Sequence, residues 1–129
     1  MTCFVLDASA VLALLLGEPG ADKVATALDD AVMTTVNLAE VVSHYAKLGI
    51  GRRDIEALLR PLPIRLAPID TALSYAAGTL RPITIAGGLP LGDRYCLALA
   101  RREGVPRLTA ERRWPSIAIA AGIRGVLIR

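Results

Sequence analysis

Four consecutive apolar residues, Cys3-Phe4-Val5-Leu6, run into Asp7, and a second apolar stretch, Ala-Val-Leu-Ala-Leu-Leu-Leu, follows at residues 10–16. The first run does not alternate between apolar and polar, so it reads as a strand buried on both faces. The second reads as a short helix, buried nearly all round or covered by a partner. Asp7 stands between them, at the carboxyl end of the strand. Open α/β sheets bind their ligands at that edge. Other acids that return to it become candidates for chemistry.

The rest of the chain alternates in the same way. Gly17-Glu18-Pro19-Gly20 breaks the first helix, and residues 21–28 offer a second, with Val24 and Leu28 on one face. Residues 31–34 are a short strand. Leu38, Val41, Val42, Tyr45 and Leu48 then recur at helical spacing up to a glycine stop at Gly49-Ile50-Gly51. A helix at 52–59 ends before Pro61 and Pro63, and residues 64–66 form a third strand. Asp70 caps a helix carrying Leu73, Ala76, Ala77 and Leu80. Residues 82–91 read as a loop at or beside the site, 92–103 as a helix, 105–109 as a fourth strand and 125–128 as the last. The pattern predicts one α/β domain over residues 1–129, with a mainly parallel central sheet flanked by helices.

Composition narrows the class. Hydrophobic residues make up 53% of the 129 and aromatics only 4%, which suits a parallel α/β core built from Ala, Val, Leu and Ile. No apolar run approaches the roughly 18 residues of a membrane span, and Asp7 interrupts what would otherwise resemble a leader. A cytoplasmic protein is expected. Cys3 and Cys96 lie in apolar company and read as buried small hydrophobes. Fifteen basic against twelve acidic residues give a net charge of +3, which tolerates a polyanionic partner without demanding one. The arginine groups Arg52-Arg53, Arg101-Arg102, Arg107 and Arg112-Arg113 fit such a partner, and solvated helix ends explain them just as well.

Four acids fall at strand-to-helix joints or at the start of helices: Asp7, Glu40, Asp93 and Glu111. Each has a purely structural explanation. Asp7 can cap the first helix, Asn37-Leu-Ala-Glu40 can form a capping box, Asp93 can favour its helix N-terminus and Glu111 can be an exposed turn acid. Together they say more. Carboxylates gathered at one edge raise one another's pKa unless a cation neutralises them. Oxygen-only ligands suit Mg²⁺ or Mn²⁺, and such ions assist phosphoryl displacement. With a single histidine and no thiolate set, the chain offers no zinc site, and Gly87-Gly88 lacks the lysine and spacing of a phosphate loop.

Four segments in order, Val5-Leu6-Asp7-Ala8-Ser9-Ala10, Asn37-Leu38-Ala39-Glu40-Val41, Leu91-Gly92-Asp93-Arg94-Tyr95-Cys96-Leu97-Ala98-Leu99-Ala100 and Leu108-Thr109-Ala110-Glu111-Arg112-Arg113-Trp114, resemble the motifs of PIN domains, and more closely the VapC-type toxins of bacterial toxin–antitoxin pairs. The resemblance spans nearly the whole chain. It implies a three-layer α/β fold with the first strand central, and a Mg²⁺- or Mn²⁺-dependent endoribonuclease that hydrolyses RNA phosphodiester bonds. It also implies a homodimer held inactive by a small antitoxin. Asp7, Glu40 and Asp93 fall on the metal-binding acids, and Ser9 and Thr109 on supporting hydroxyls. Glu111 departs from the aspartate usual there. Its extra methylene moves the charge by roughly 1.5 Å, which favours a catalytic role through water.

Other residues weigh less. His44 shares a helix face with Glu40 but reads as a surface or interface histidine, and Trp114 as a hinge residue packed at the sheet edge. Arg94 and Arg112 are surface arginines that can also meet phosphate. Two rival readings stand beside the nuclease. One is a Mg²⁺-binding receiver-like signalling domain, which would want an acidic pair after the first strand and a late lysine, whereas the last lysine here is Lys47. The other is a PIN-like binding module without activity.

Overall fold

The computed structural model describes residues 3–84, 89–112 and 122–129. The opening apolar run is strand β1 (Phe4–Leu6), and it lies in the middle of the sheet. Around it stand β2 (Ala31–Thr34), β3 (Arg65–Ala67), β4 (Arg107–Thr109) and β5 (Gly125–Leu127), in the order β3-β2-β1-β4-β5. All four pairings are parallel. Val5 lies opposite Val32 on one side and Arg107 on the other. The chain first adds strands to one side of β1 and then to the other, so the order reverses between β1 and β4. At such a switch point the flanking loops part and leave a crevice at the carboxyl edge. A receiver-like domain has the order 2-1-3-4-5 instead. That reading is set aside.

Helices cover both faces, giving three layers. On one face Val5, Val32 and Ala67 meet Leu73 and Ala77 of α5 (Thr71–Thr79) and the apolar stripe Cys96 to Ala100 of α7 (Leu91–Glu103). On the other, Leu6, Ala31, Met33 and Leu108 meet α1 (Ala8–Leu16), α2 (Ala21–Ala27), α3 (Thr35–Lys47) and α4 (Arg52–Leu59). Successive strand residues point to opposite faces, so Val5 and Leu6 enter different halves of the core. This is why β1 carries no polar position. The apolar face of α1 is buried at Ala10, Val11 and Ala13, while Leu16 at its end is 47% exposed. Gly17 stops α1 in the left-handed conformation, φ 66°, which an L side chain rarely adopts.

Three boundaries differ from expectation. α3 begins at Thr35, not after Asn37, because the Thr34 side chain caps it by accepting from the Asn37 N–H at 3.0 Å. Asn37 is therefore inside the helix and does not start a capping box. β3 runs to Ala67 because Thr34 pairs with that residue. The segment expected to be a loop from residue 82 opens with a helical turn, α6 (Arg81–Thr84). Residues 85–88 and Trp114-Pro115 lie outside the described residues. Cys3 is half-buried and Cys96 buried, and both are free thiols. Among the described residues no helix is long and apolar enough to cross a membrane.

The α7 stripe is the main brace of one face. Leu97 is fully buried there, so Leu97→Ala should remove about 2–5 kcal/mol of stability through lost burial and the cavity left behind. Urea unfolding of the two proteins at one pH measures it.

Candidate active site

Asp7 leaves β1 and becomes the N-cap of α1. Its Oδ1 accepts from the Ala10 N–H at 3.0 Å and from the Ser9 hydroxyl at 2.6 Å. Its Oδ2 accepts from the Thr109 hydroxyl at 2.6 Å and from the Arg107 guanidinium. Thr109 ends β4, the strand beside β1, which is why a residue so distant in sequence reaches the cap. Ser9 Oγ in turn accepts from the Ala110 N–H at 3.0 Å, and Thr109 Oγ1 from the Glu111 N–H at 2.9 Å. These bonds hold the turn after β4 against α1. Asp7 is only 3% exposed.

Glu40 is delivered by α3. Thr34 donates to Asn37 Oδ1 at 2.7 Å, which fixes the amide so that Nδ2 donates to Glu40 Oε1 at 2.7 Å and to the Gly92 carbonyl at 3.2 Å. A cap residue, an amide and an acid thus form a relay from the end of β2 to the start of α7. Gly92 completes it by having no side chain. A Cβ there would lie 2.7 Å from Glu40 Oε1. The carboxylate occupies the space that any other residue would fill.

Asp93 follows on the first turn of α7. Burial pushes its carboxyl up to about 7; Arg107 pulls it down, and the charges of Asp7, Glu40 and Glu111 push it up. Glu111 is half-buried in the segment after β4. The other three acids expected at this edge therefore lie near enough to act on Asp93. The donors are oxygen alone, the chemistry that suits Mg²⁺ or Mn²⁺, and the crowded negative charge is what a divalent ion would relieve. Yet among the described residues no three acidic, histidine or cysteine side chains are gathered closely enough to hold an ion as they stand. Charge and donor type fit a metal, and the carboxylates must adjust to bind one.

Sequence reasoning missed three participants. Arg107, read as part of a solvated cluster, is completely buried on β4, where it pairs with Asp7 and donates to Thr109 Oγ1 at 2.8 Å. Strand periodicity was the available signal, since residues 107 and 109 share a face. Asn37 and Gly92 stood inside the quoted segments, but their roles depend on α3 meeting α7. Arg94, expected at the surface, is buried, whereas Arg112 is exposed. His44 is half-buried with its ring edge-on to Tyr45, centroids 5.2 Å apart, and takes no part in the acid cluster's hydrogen bonds. Trp114 lies outside the described residues. The Cys96 thiol is pushed up by burial, which leaves it inert beside the acids.

An open parallel sheet with acids gathered at its switch point defines a class of three-layer α/β proteins. The family model for the PIN domain matches residues 4–120, and the chain belongs to that family. No curated protein matches the sequence. Among solved structures, a toxin–antitoxin complex from Klebsiella pneumoniae is similar at 18% identity over 98% of each chain, TM-score 0.72. A DNA-bound VapBC from Salmonella typhimurium is similar at 18% identity over 100% of each, TM-score 0.73. A VapBC-family member from Mycobacterium tuberculosis is similar at 20% identity, covering 98% of this chain and 99% of its own, TM-score 0.64.

Two outcomes follow from this geometry. Folding raises the proton affinity of Asp93, so its stabilising contribution is complete below the ordinary value of 3.8 and is lost as pH rises through about 7. Metal-free protein should therefore lose melting temperature over that window relative to Asp93→Asn, and Mg²⁺ affinity should climb as the proton leaves. Paired melting curves and calorimetry across pH 4–8 test both. Gly92→Ala should push the Glu40 carboxylate off Asn37 and weaken Mg²⁺ binding. The fold should stay as stable or gain up to about 1 kcal/mol, because glycine disfavours a helix. Calorimetry and denaturant unfolding separate the two effects.

Proposed function

We propose that this protein is a divalent-metal-dependent endoribonuclease, the toxin of a type II toxin–antitoxin pair acting in the cytoplasm. The observation that carries the reading is that Asp7, Glu40 and Glu111, each from a separate element, lie near enough at one sheet edge for their charges to act on the buried Asp93 carboxyl. The toxin–antitoxin and VapBC descriptions of the similar structures support it.

In this reading Asp7, Glu40 and Asp93 hold Mg²⁺ or Mn²⁺. A bound ion of this kind polarises the scissile phosphoryl group and favours ionisation of an attacking water. Asn37 keeps Glu40 aimed, and Ser9 and Thr109 do the same for Asp7. Each hydroxyl is bonded both to Asp7 and to a backbone N–H of the turn after β4, a positioning role, and water attacks phosphorus. Glu111, with its longer side chain, orients that water or takes its proton. An inactive PIN-like module is the remaining alternative, and cleavage assays separate the two.

The partners are RNA, a small antitoxin and a second copy of the chain. An apolar groove of about 590 Å³ lies between α1, α3 and α4, lined among others by Val11, Met33, Leu38, Val42, Ile55 and Leu59, with Arg52, Glu56 and Arg60 also lining it. It suits a hydrophobic antitoxin segment.

Single-turnover cleavage of one RNA tests the reading. Asp93→Asn and Glu40→Gln should abolish cleavage while keeping the fold, with Asp93→Asn melting no lower than the metal-free native chain at neutral pH. Glu111→Gln should slow it about 10–100-fold, as loss of a water-mediated partner does, and Glu111→Asp should retain it. Cleavage at full rate in excess EDTA would overturn the proposal.

A further inference from the structure

The Asp7 carboxylate is saturated. A carboxylate offers about four lone-pair sites. Ala10 and Ser9 fill those of Oδ1, and Thr109 and Arg107 fill those of Oδ2. One of the four donors is a full positive charge. Arg107 reaches Asp7 from within the core, at 0% exposure, and its Nη2 also holds Thr109 at 2.8 Å. A guanidinium so deep is tolerable only beside an acid. It also stays protonated at any pH the fold survives. Its charge also pulls the Asp93 carboxyl down while the neighbouring acids push it up, so it reaches beyond Asp7.

We propose that Arg107 is a resident counter-cation of this site, one that a divalent ion must displace from Asp7 in order to bind there. This rests on the metal-dependent reading above and adds to it. Three consequences follow. Metal-free protein keeps Asp7 compensated and its sheet edge assembled. Metal affinity is weaker than the acids alone would give, because binding at Asp7 costs an ion pair. The displaced guanidinium stays buried and must keep an acid beside it, and Asp93, on which its charge already acts, is near enough to serve. Two hydroxyls and a backbone N–H remain on Asp7 throughout and keep it oriented for whichever cation it holds.

Calorimetric titration of the intact protein with Mn²⁺ is the test. Arg107→Met, which keeps an unbranched apolar stem and removes the charge, should bind Mn²⁺ about tenfold or more tightly than the native chain. Its metal-free form should melt lower and recover more on Mn²⁺ addition. Arg107→Lys, which keeps the charge, should stay near the native affinity. In case the Met variant does not fold, nitrogen NMR of the native protein follows the Arg107 guanidinium directly. Its signals should move as diamagnetic Mg²⁺ is added and saturate with the carboxylates. Equal or weaker Mn²⁺ binding by Arg107→Met, or guanidinium signals unmoved at saturating Mg²⁺, would overturn the proposal and leave the metal reading standing. If neither ion binds the native chain or the variants, the metal reading itself falls.

Discussion

The ion pair between Asp7 and Arg107 joins the central strand to β4 at the point where the strand order reverses. The same carboxylate that receives the guanidinium on one oxygen caps α1 with the other. One side chain therefore fixes a helix start, a strand pairing and a chemical group. Removing the acid would strand a buried positive charge, a loss on the order of 3–5 kcal/mol. Substitutions at Asp7 thus mix folding with chemistry, whereas Glu40 and Asp93 report on chemistry more cleanly.

The remaining acids are held less firmly, and in graded fashion. Asp7 has four donors, Glu40 has the Asn37 amide, and Asp93 sits where burial opposes its charge. A site so arranged has one fixed corner and others that respond to what binds. Its crowding is a stored electrostatic cost, kept in place by the sheet and by the packing of α3 against α7.

Much of the fold was legible because its elements are short, apolar and well punctuated. Residues 31–34 and 52–59 form the expected strand and helix, bounded by residues that stop or cap the backbone. The acids stood out in the sequence because Asp7 and Glu111 flank strand ends and Asp93 opens a helix, whereas Glu40 lies a turn and more inside α3. Arg107 did not. Charge counted along a sequence suggests solvent, and only the pairing of β4 with β1 turns that arginine inward against an acid. The roles of Asn37 and Gly92 were hidden for a related reason. Thr34 caps the helix that Asn37 was expected to open, and an absent Cβ becomes meaningful only once Glu40 fills its space.

The two partners of the central ion pair are 100 residues apart in the chain, and the Thr109 hydroxyl is farther still from Asp7. Contacts so remote form late, since every intervening loop must close before they can. On the ribosome, where chains emerge from the N-terminus, the first strand and its acid are exposed long before β4 can reach them. An unfinished chain has Asp7 but no assembled edge around it. The order of strands across the sheet therefore delays that edge until β4 has been made.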